Sequence, residues 1–509
     1  MSPALTALEW ANRDNQARAF CATLTLPRLS DGEPLDLRLT DSNSKLSGTW
    51  DDQYNWNSCI SSPATITHQM QQLFNGRSLA AFGDLELALD DNARLGPRGD
   101  ITWRQAQNDY LWSGGSFLGQ VGGPNLAWPS WITSHRGTLG GASMELGRIK
   151  VQLLGKAAAL ETIKIPPDTY TAADGVLPAT VGKVKPCCIG PCNNITPVQL
   201  SDTVFQAHAY GPMQAFPEIR VADVAVSPAS TDPANGKFTL ASKPSGTVTC
   251  DALGWVRGGV YVYSAAQIIE AILRQWAGAT DADLDASAFA AMHAAVPDPL
   301  NIYMTSAGDI RSELDSICLG LPLIWMDDRL GRYTLRPFAA PSGQPVLELF
   351  DRSAGDPIWG SATCWNVRSA PAPYWWSKCT VHGDRNWSKN GNPLATLPSD
   401  RQEWLREEYR ARVATGSAPV GNAQVREGDY RTYISALNGC QTHATREIGL
   451  HGVPRRVVTL DSLYAALTLD LGDVVRLWSR VGGMDTGWLG MVVERKASLP
   501  GQASLRLWG

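Results

Sequence analysis

LDLGDVVRLWSRVGGMDTGWLGMVVERKASLPGQASLRLWG, residues 469–509, alternates short apolar runs with turn signals. "DVVRLWS" and "WLGMVVERKAS" flank the turn "RVGGMDTG", and "LPGQ" leads into "ASLRLWG". With "PRRVVTL" upstream, this reads as three or four antiparallel strands that run to the last residue. A terminus used as a strand is tied down by its ladder.

The same pattern opens the chain. "FCATLTL" (20–26) places Phe20, Ala22, Leu24 and Leu26 on one face, "DGEP" (31–34) turns, and "LDLRL" (35–39) returns as the second arm of a hairpin. "GDLELALDDNARLG" alternates at Leu85, Leu87 and Leu89, and "GRIKVQLLG" at Ile149, Val151 and Leu153. These are half-buried antiparallel strands. The Gly-rich piece between them, "WSGGSFLGQVGGPNLAWPSW", reads as a long loop or irregular hairpin.

The middle differs. Residues 166–255 read as strands and turns. In "SAAQIIEAILRQWAG", Ser264 and Gln267 form a capping box, and Ala265, Ile268, Ile269, Ile272, Leu273 and Trp276 make one apolar helical stripe. A second helix is predicted over about 285–295, a third in "AGDIRSELDSICLG", and a hairpin around Asp327–Gly331. Helices are also predicted over 399–414, with Glu408 and Arg412 as an i,i+4 pair, and over 433–447. The fold class is mainly β, multidomain, with an α/β insertion.

Composition narrows the function. Lys+Arg 44 against Asp+Glu 49 gives a net charge of −5, so bulk charge attracts neither nucleic acid nor an anionic membrane. No run of 18 apolar residues and no signal-peptide pattern is present, and folding in a cytoplasm is expected. There is no G-x-S-x-G, H-E-x-x-H or P-loop pattern. The adjacent pairs Asp90–Asp91, Asp327–Asp328 and Glu407–Glu408 read as solvated surface, and the seven histidines do not cluster in sequence. No catalytic residue is assigned, and the chain is read as a non-enzyme.

Ten cysteines are scattered along the chain and read mainly as small buried apolar groups. Cys187, Cys188 and Cys192 in "KVKPCCIGPCNNITPVQL" (183–200) stand apart. C-C-x₃-C has no second knuckle to complete four zinc ligands. Neighbouring Cys187 and Cys188 do not meet the Cα spacing of about 4.4–6.8 Å that a disulfide prefers. The trio is read as a loop with buried or idle thiols and no cofactor, with a metal or iron–sulfur cluster as the alternative. "YWW" (374–376), with Trp365 and Trp387, suggests a second alternative, a sugar-stacking platform over 365–387 in a carbohydrate-binding or carbohydrate-active protein.

The order of motifs resembles the tail or baseplate hub proteins of long-tailed bacteriophages. The matching positions in 186–254 are Gly190, Asn193, Pro197, Gly211, Pro212, Pro244, Gly246, Val248, Thr249 and Gly254. "GDLELALDDNARL" (83–95) is similar to the family's first strand but lacks its final glycine. Gly472 and Asp473 match an "L-G-D-V-V" strand, and Trp508 and Gly509 a closing "L-x-L-W-G". Each motif is weak alone; their succession carries the resemblance.

The resemblance implies a homotrimeric structural protein of the virion, at the tail tip or baseplate, assembled in the bacterial host cytoplasm. It implies two tail-tube-like β-barrel domains, 1–165 and 346–509, around a β-rich hub module, 166–255, and an α/β insertion, 256–345. Three copies would adapt a sixfold tail tube to a threefold tip and line a channel through which DNA passes without specific binding. The implied partners are a distal tail protein or last tail-tube ring, the tape measure protein, and a central fibre or spike. Iron–sulfur clusters are associated with some tail-tip subunits of such phages, which keeps the cluster alternative for the cysteine trio.

Overall fold

The computed structural model describes the chain except residues 1–17, 43–55, 72–76, 89–93, 96–98, 124–125, 146, 353–361, 372–374, 418–424, 463 and 499–502. Leu89 and the pair Asp90–Asp91 therefore lie outside the described residues. The amino-terminal strands are β1 (Ala19–Pro27), β2 (Pro34–Thr40), β3 (Asn57–Ser58), β4 (Ile60–Ser62), β5 (Thr65–Gln71), β6 (Arg77–Phe82), β7 (Leu85–Ala88), β8 (Ser116–Gly122), β9 (Ile132–Glu145) and β10 (Arg148–Leu154). The sheet order is β3-β2-β1-β8-β9-β10-β7-β4. Its two ends are consecutive in sequence. β3 pairs with β2 and β4 with β7, and Cys59 between them donates to the Thr40 carbonyl (3.1 Å) and accepts from the Ala88 amide (2.7 Å). One short segment thus joins both edges and closes a barrel, which leaves no open ladder there. The alternation expected in the sequence fills it: Leu24, Leu26, Leu37, Leu39, Leu85, Leu87, Ile149 and Val151 are all buried.

The carboxyl-terminal strands are β11 (Leu347–Asp351), β12 (Ala362–Pro371), β13 (Arg456–Ser462), β14 (Val474–Ser479), β15 (Met484–Ser498) and β16 (Ala503–Trp508). They follow the order β14-β11-β12-β13-β16-β15, and β15 pairs back onto β14 to close a second barrel.

The two barrels share one topology. β8-β9-β10-β7 in the first runs as β14-β15-β16-β13 in the second, all antiparallel. The β3/β4 segment corresponds to β12, antiparallel to one neighbour and parallel to the other. β2 corresponds to β11, and β1 is an extra strand inserted beside it. The correspondence holds to the residue. Leu139 exchanges backbone hydrogen bonds with Gly114 and Gly115, and Val492 does so with Gly472 and Asp473. Each is followed by a β-bulge in the long strand. Gly114 and Gly472 both hold positive φ, 83° and 86°. "KVQLLG" (150–155) and "SLRLWG" (504–509) are the matching closing strands.

Between the barrels, Met213–Val221 and Val248–Arg257 pair in an antiparallel sheet with Pro191–Ile195. Helices Ala265–Trp276, Ala286–Ala295 and Ile310–Cys318 follow, then the hairpin Leu323–Asp327/Tyr333–Pro337. The capping box is present: Ser264 Oγ accepts from the Gln267 amide and the Gln267 side chain from the Ser264 amide.

Two expectations are corrected. The helix predicted over 399–414 stops at Arg406, and Arg410–Thr415 is a strand on Trp375–Gly383, so Glu408 pairs with Arg385 (2.8 Å) and not with Arg412. Its charge pattern suits an exposed helix, but a sheet partner far away in sequence decides the conformation. Asp327 and Asp328 are buried, not solvated; Asp328 holds Arg332 at 2.8 Å. Packing also crosses the sequence-based divisions 1–165, 166–255, 256–345 and 346–509. β5 and β6 join the second barrel, and Trp376, Cys379, Val381, Tyr430 and Cys440 share a core with the helices of 265–318.

Candidate assembly interface

The junction between the barrels shows how one such barrel receives another. β5 and β6 leave the first barrel as a hairpin, and β5 adds antiparallel to the outer half of β15, from Glu494↔Gln69 to Ser498↔Thr65. Ladder bonds and the burial of Ile66 and Ala497 hold it there. Both barrels consequently share one hydrophobic core.

Arg495 locks this junction. It is 1% exposed and donates to the carbonyls of Leu467 (3.1 Å), Leu469 (2.9 Å) and Ser134 (3.2 Å), the last from the other barrel. Burial lowers its affinity for the proton and the Asp470 carboxylate counters that. Asp470 is itself pushed up by burial and held down by Arg495 and Arg329. Arg329 donates from its backbone to Asp470 (3.0 Å) and from its guanidinium to the Thr133 carbonyl (2.9 Å), a second tie across the junction.

His68 and His135 meet beside Arg495 with ring centroids 5.1 Å apart, packed on Phe82 and Phe117. Burial and the neighbouring cation push His68 down to about 3; burial, His68 and Arg495 push His135 well below the usual imidazole range. Both rings are neutral at pH 7. Two histidines of unrelated strands thus form a cluster that spacing along the chain could not reveal.

Of the residues singled out in sequence, the cysteine trio lies on strands and not in the expected loop, Cys187–Ile189 pairing with Ile302–Met304 and Pro191–Ile195 with Val248–Arg257, and it divides. Cys187 packs in the helical core, while Cys188 and Cys192 face the core of the 191–257 sheet with Cys250. All ten cysteines are buried free thiols, and burial raises Cys187, Cys188 and Cys250 far above the thiol range. Cys192 Sγ lies 3.2 Å from the Ile302 carbonyl, and His208 Nδ1 accepts the Cys188 amide at 3.1 Å. Among the described residues no three of His, Cys, Asp and Glu are grouped as a metal site.

The glycines of the motif are backbone contacts. A Cβ on Gly190 (φ 69°) would stand 1.8 Å from the Leu300 carbonyl oxygen, and one on Gly254 2.3 Å from that of Cys188. The Gly254 amide donates to the Gly190 carbonyl at 2.8 Å, so the two ends of the motif meet. Asn193 donates to Asp384 (3.1 Å), and Pro197 follows its strand. Gly211 and Pro212 precede the Met213 strand, and Pro212 accepts from Val256 at 2.8 Å. Pro244 and Gly246 lie in the turn before Val248 and Thr249, which open the next strand; Gly246 abuts Ala222. Asp473 accepts the Asp470 amide (2.8 Å), Trp508 is fully buried, and Gly509 exchanges two backbone bonds with Arg456.

The tryptophans form no common platform. Trp376 is 3% exposed beneath Tyr430 and His451, Trp365 lies under Arg352 and Trp387 under Arg385. Tyr374 lies outside the described residues.

Comparison with solved structures gives matches along nearly the whole chain. A tail protein from Neisseria meningitidis MC58 is 9% identical, covers 96% of both chains and has a TM-score of 0.40. The 43 kDa tail protein of prophage MuSo2 from Shewanella oneidensis is 12% identical over 96% of this chain and 98% of its own, TM-score 0.39. A chain of the native gene transfer agent virion is 12% identical over 64% of this chain and 84% of its own, TM-score 0.41. The chain is similar to phage tail proteins. No protein-family model and no curated protein matches it.

Proposed function

We propose that the chain is a structural subunit of a phage tail tip, a homotrimeric hub. The observation that carries this reading is the duplicated barrel. One chain supplies two barrels that share strand order apart from the inserted β1, with the same bulge position and turn geometry, so three copies present six similar units in a ring. Such a ring matches a sixfold tail tube, through its last ring or a distal tail protein, while the inserted 166–345 region repeats only three times and suits a fibre or spike. The tape measure protein and the DNA occupy the channel during assembly and ejection. The role is mechanical and involves no metal, so elemental analysis of purified protein is expected to find no stoichiometric iron or zinc.

Multi-angle light scattering tests the assembly. The expected mass is three times the 55.0 kDa chain, with six lobes around a hole in negative-stain images. A monomer at every concentration, or a ring without six lobes, overturns the reading.

A further inference from the structure

The duplicated topology leaves one position occupied in the second barrel and, among the described residues, vacant in the first. In the second barrel the outer half of β15, Glu494–Ser498, is covered by β5. Matching the bulges places Gly141–Glu145 of β9 at the same position in the first barrel. β8 pairs with β9 only as far as Thr138, and Leu139 makes the last bonds on that side. Beyond the bulge, strand alternation turns the N–H and C=O groups of Ala142 and Met144 toward that uncovered edge. The side chains report the same contrast. Arg495 and Ala497 are sealed beneath β5, whereas Met144, the counterpart of Ala497, is 42% exposed. Gly141, Ala142 and Ser143 border an open groove with Asp84, Lys150 and Gln152.

The covering strand also has a counterpart. β5 directly continues the β3/β4 segment, and β6 leads into β7. In the second barrel the corresponding strand is β12, and its distal end, Arg368–Pro371, stands where β5 stands. β13 pairs with one edge of that end, while β11 reaches only Ala362–Cys364 on the other. Arg368, Ser369, Ala370 and Pro371 border a second open groove. Within the chain β12 and β9 do not pair.

We infer that Gly141–Glu145 is a strand-acceptor edge that receives Arg368–Pro371 of a second copy of this chain. Barrel one of each subunit then takes from its neighbour what barrel two takes from its own chain. The contact is heterologous and closes into a ring, as head-to-tail contacts must if they are not to form filaments. Ladder bonds supply affinity, Pro371 limits the added strand to a few residues, and Arg368 brings a cation toward Glu145. This inference rests on the trimeric reading above and names the surface through which it forms.

The test uses the full chain with Met144→Cys and Ala370→Cys, singly and together, and a short bismaleimide linker. The ten native cysteines are buried, so the added thiols react selectively. The expected result is covalent dimers and trimers in denaturing gels for the double variant and none for either single variant. Ala142→Pro, which removes an outward N–H, is expected to shift the mass in light scattering from trimer to monomer while the melting profile of the folded chain persists. A trimer that does not cross-link at this pair, or a dimer formed by Met144→Cys alone, overturns the edge pairing and leaves the trimer standing. A monomer of the unmodified protein overturns both.

Discussion

At the scale of single residues, the motif glycines and the buried histidines have separable consequences. Gly190 combines a left-handed backbone with a carbonyl oxygen 1.8 Å from where a Cβ would stand. Left-handed backbone alone costs a side-chain-bearing residue about 1–2 kcal/mol, and the clash adds to it. Gly190→Ala is therefore expected to lower the denaturation midpoint by more than that penalty, whereas Gly32→Ala, which meets nothing within 4 Å at φ 77°, should pay only the backbone part. Equal losses in urea titrations would show that the Leu300 contact yields freely. His68 and His135 make stability depend on pH. Both rings are held neutral in the fold, His68 down to about 3, by burial and by Arg495. The unfolded chain binds protons near pH 6.5 and the native state does not, so this stability is complete above that value and declines as pH falls toward 3. The slope is about 1.4 kcal/mol per pH unit for each such ring. His135→Phe should flatten the dependence between pH 6 and 5 by about one ring's share; an unchanged slope would mean that His135 protonates in the folded protein. The glycines were legible in sequence because turns demand them. The histidine pair was not, because it is made by β5 and β9 meeting across a junction.

At the scale of elements, short-range signals were readable and long-range pairing was not. The helix at Ala265–Trp276 has its cap and its stripe within one window, and the structure reproduces both. The hairpin of β1 and β2 is equally local. By contrast, 399–414 carries a helical charge pattern along its full length, yet Arg410–Thr415 pairs with Trp375–Gly383 because that sheet buries Cys379 and Val381. β5 and β6 likewise show nothing in sequence that assigns them to the second barrel. Arg495 tests how firmly that assignment is held. In Arg495→Met its three carbonyl acceptors lose their donor and the Asp470 carboxylate keeps only Arg329, and each buried acceptor left unpaired costs about 1–3 kcal/mol. Arg495→Met/Asp470→Asn should recover part of the loss, since the buried carboxylate that Arg495 helped to offset is then neutral. Guanidinium unfolding of the single and double variants measures both; a double variant no better than the single would locate the cost in the carbonyls alone.

At the scale of the whole molecule, the duplication was visible in sequence only as two β-rich ends. "KVQLLG" and "SLRLWG" keep a final glycine and alternating apolar positions but little identity, since a barrel strand constrains which face is apolar and not which residue fills it. The bulges and the shared strand order are properties of the ladder and emerge only in three dimensions. Charge is the one whole-molecule property the sequence states outright, and it constrains the proposed channel. The chain carries −5, so the proposed ring of copies would be acidic overall. Affinity for DNA grows with the number of phosphates neutralised by Lys or Arg, and each such contact steepens the fall of binding with salt. A channel through which DNA must move quickly is served by few such contacts. Filter binding of the assembled protein to linear double-stranded DNA is thus expected to show no retention at 150 mM salt, and no more than weak, length-independent retention at 50 mM. Tight binding with a steep salt slope would demand a basic surface concealed within an acidic whole, and the protein would then grip DNA instead of passing it.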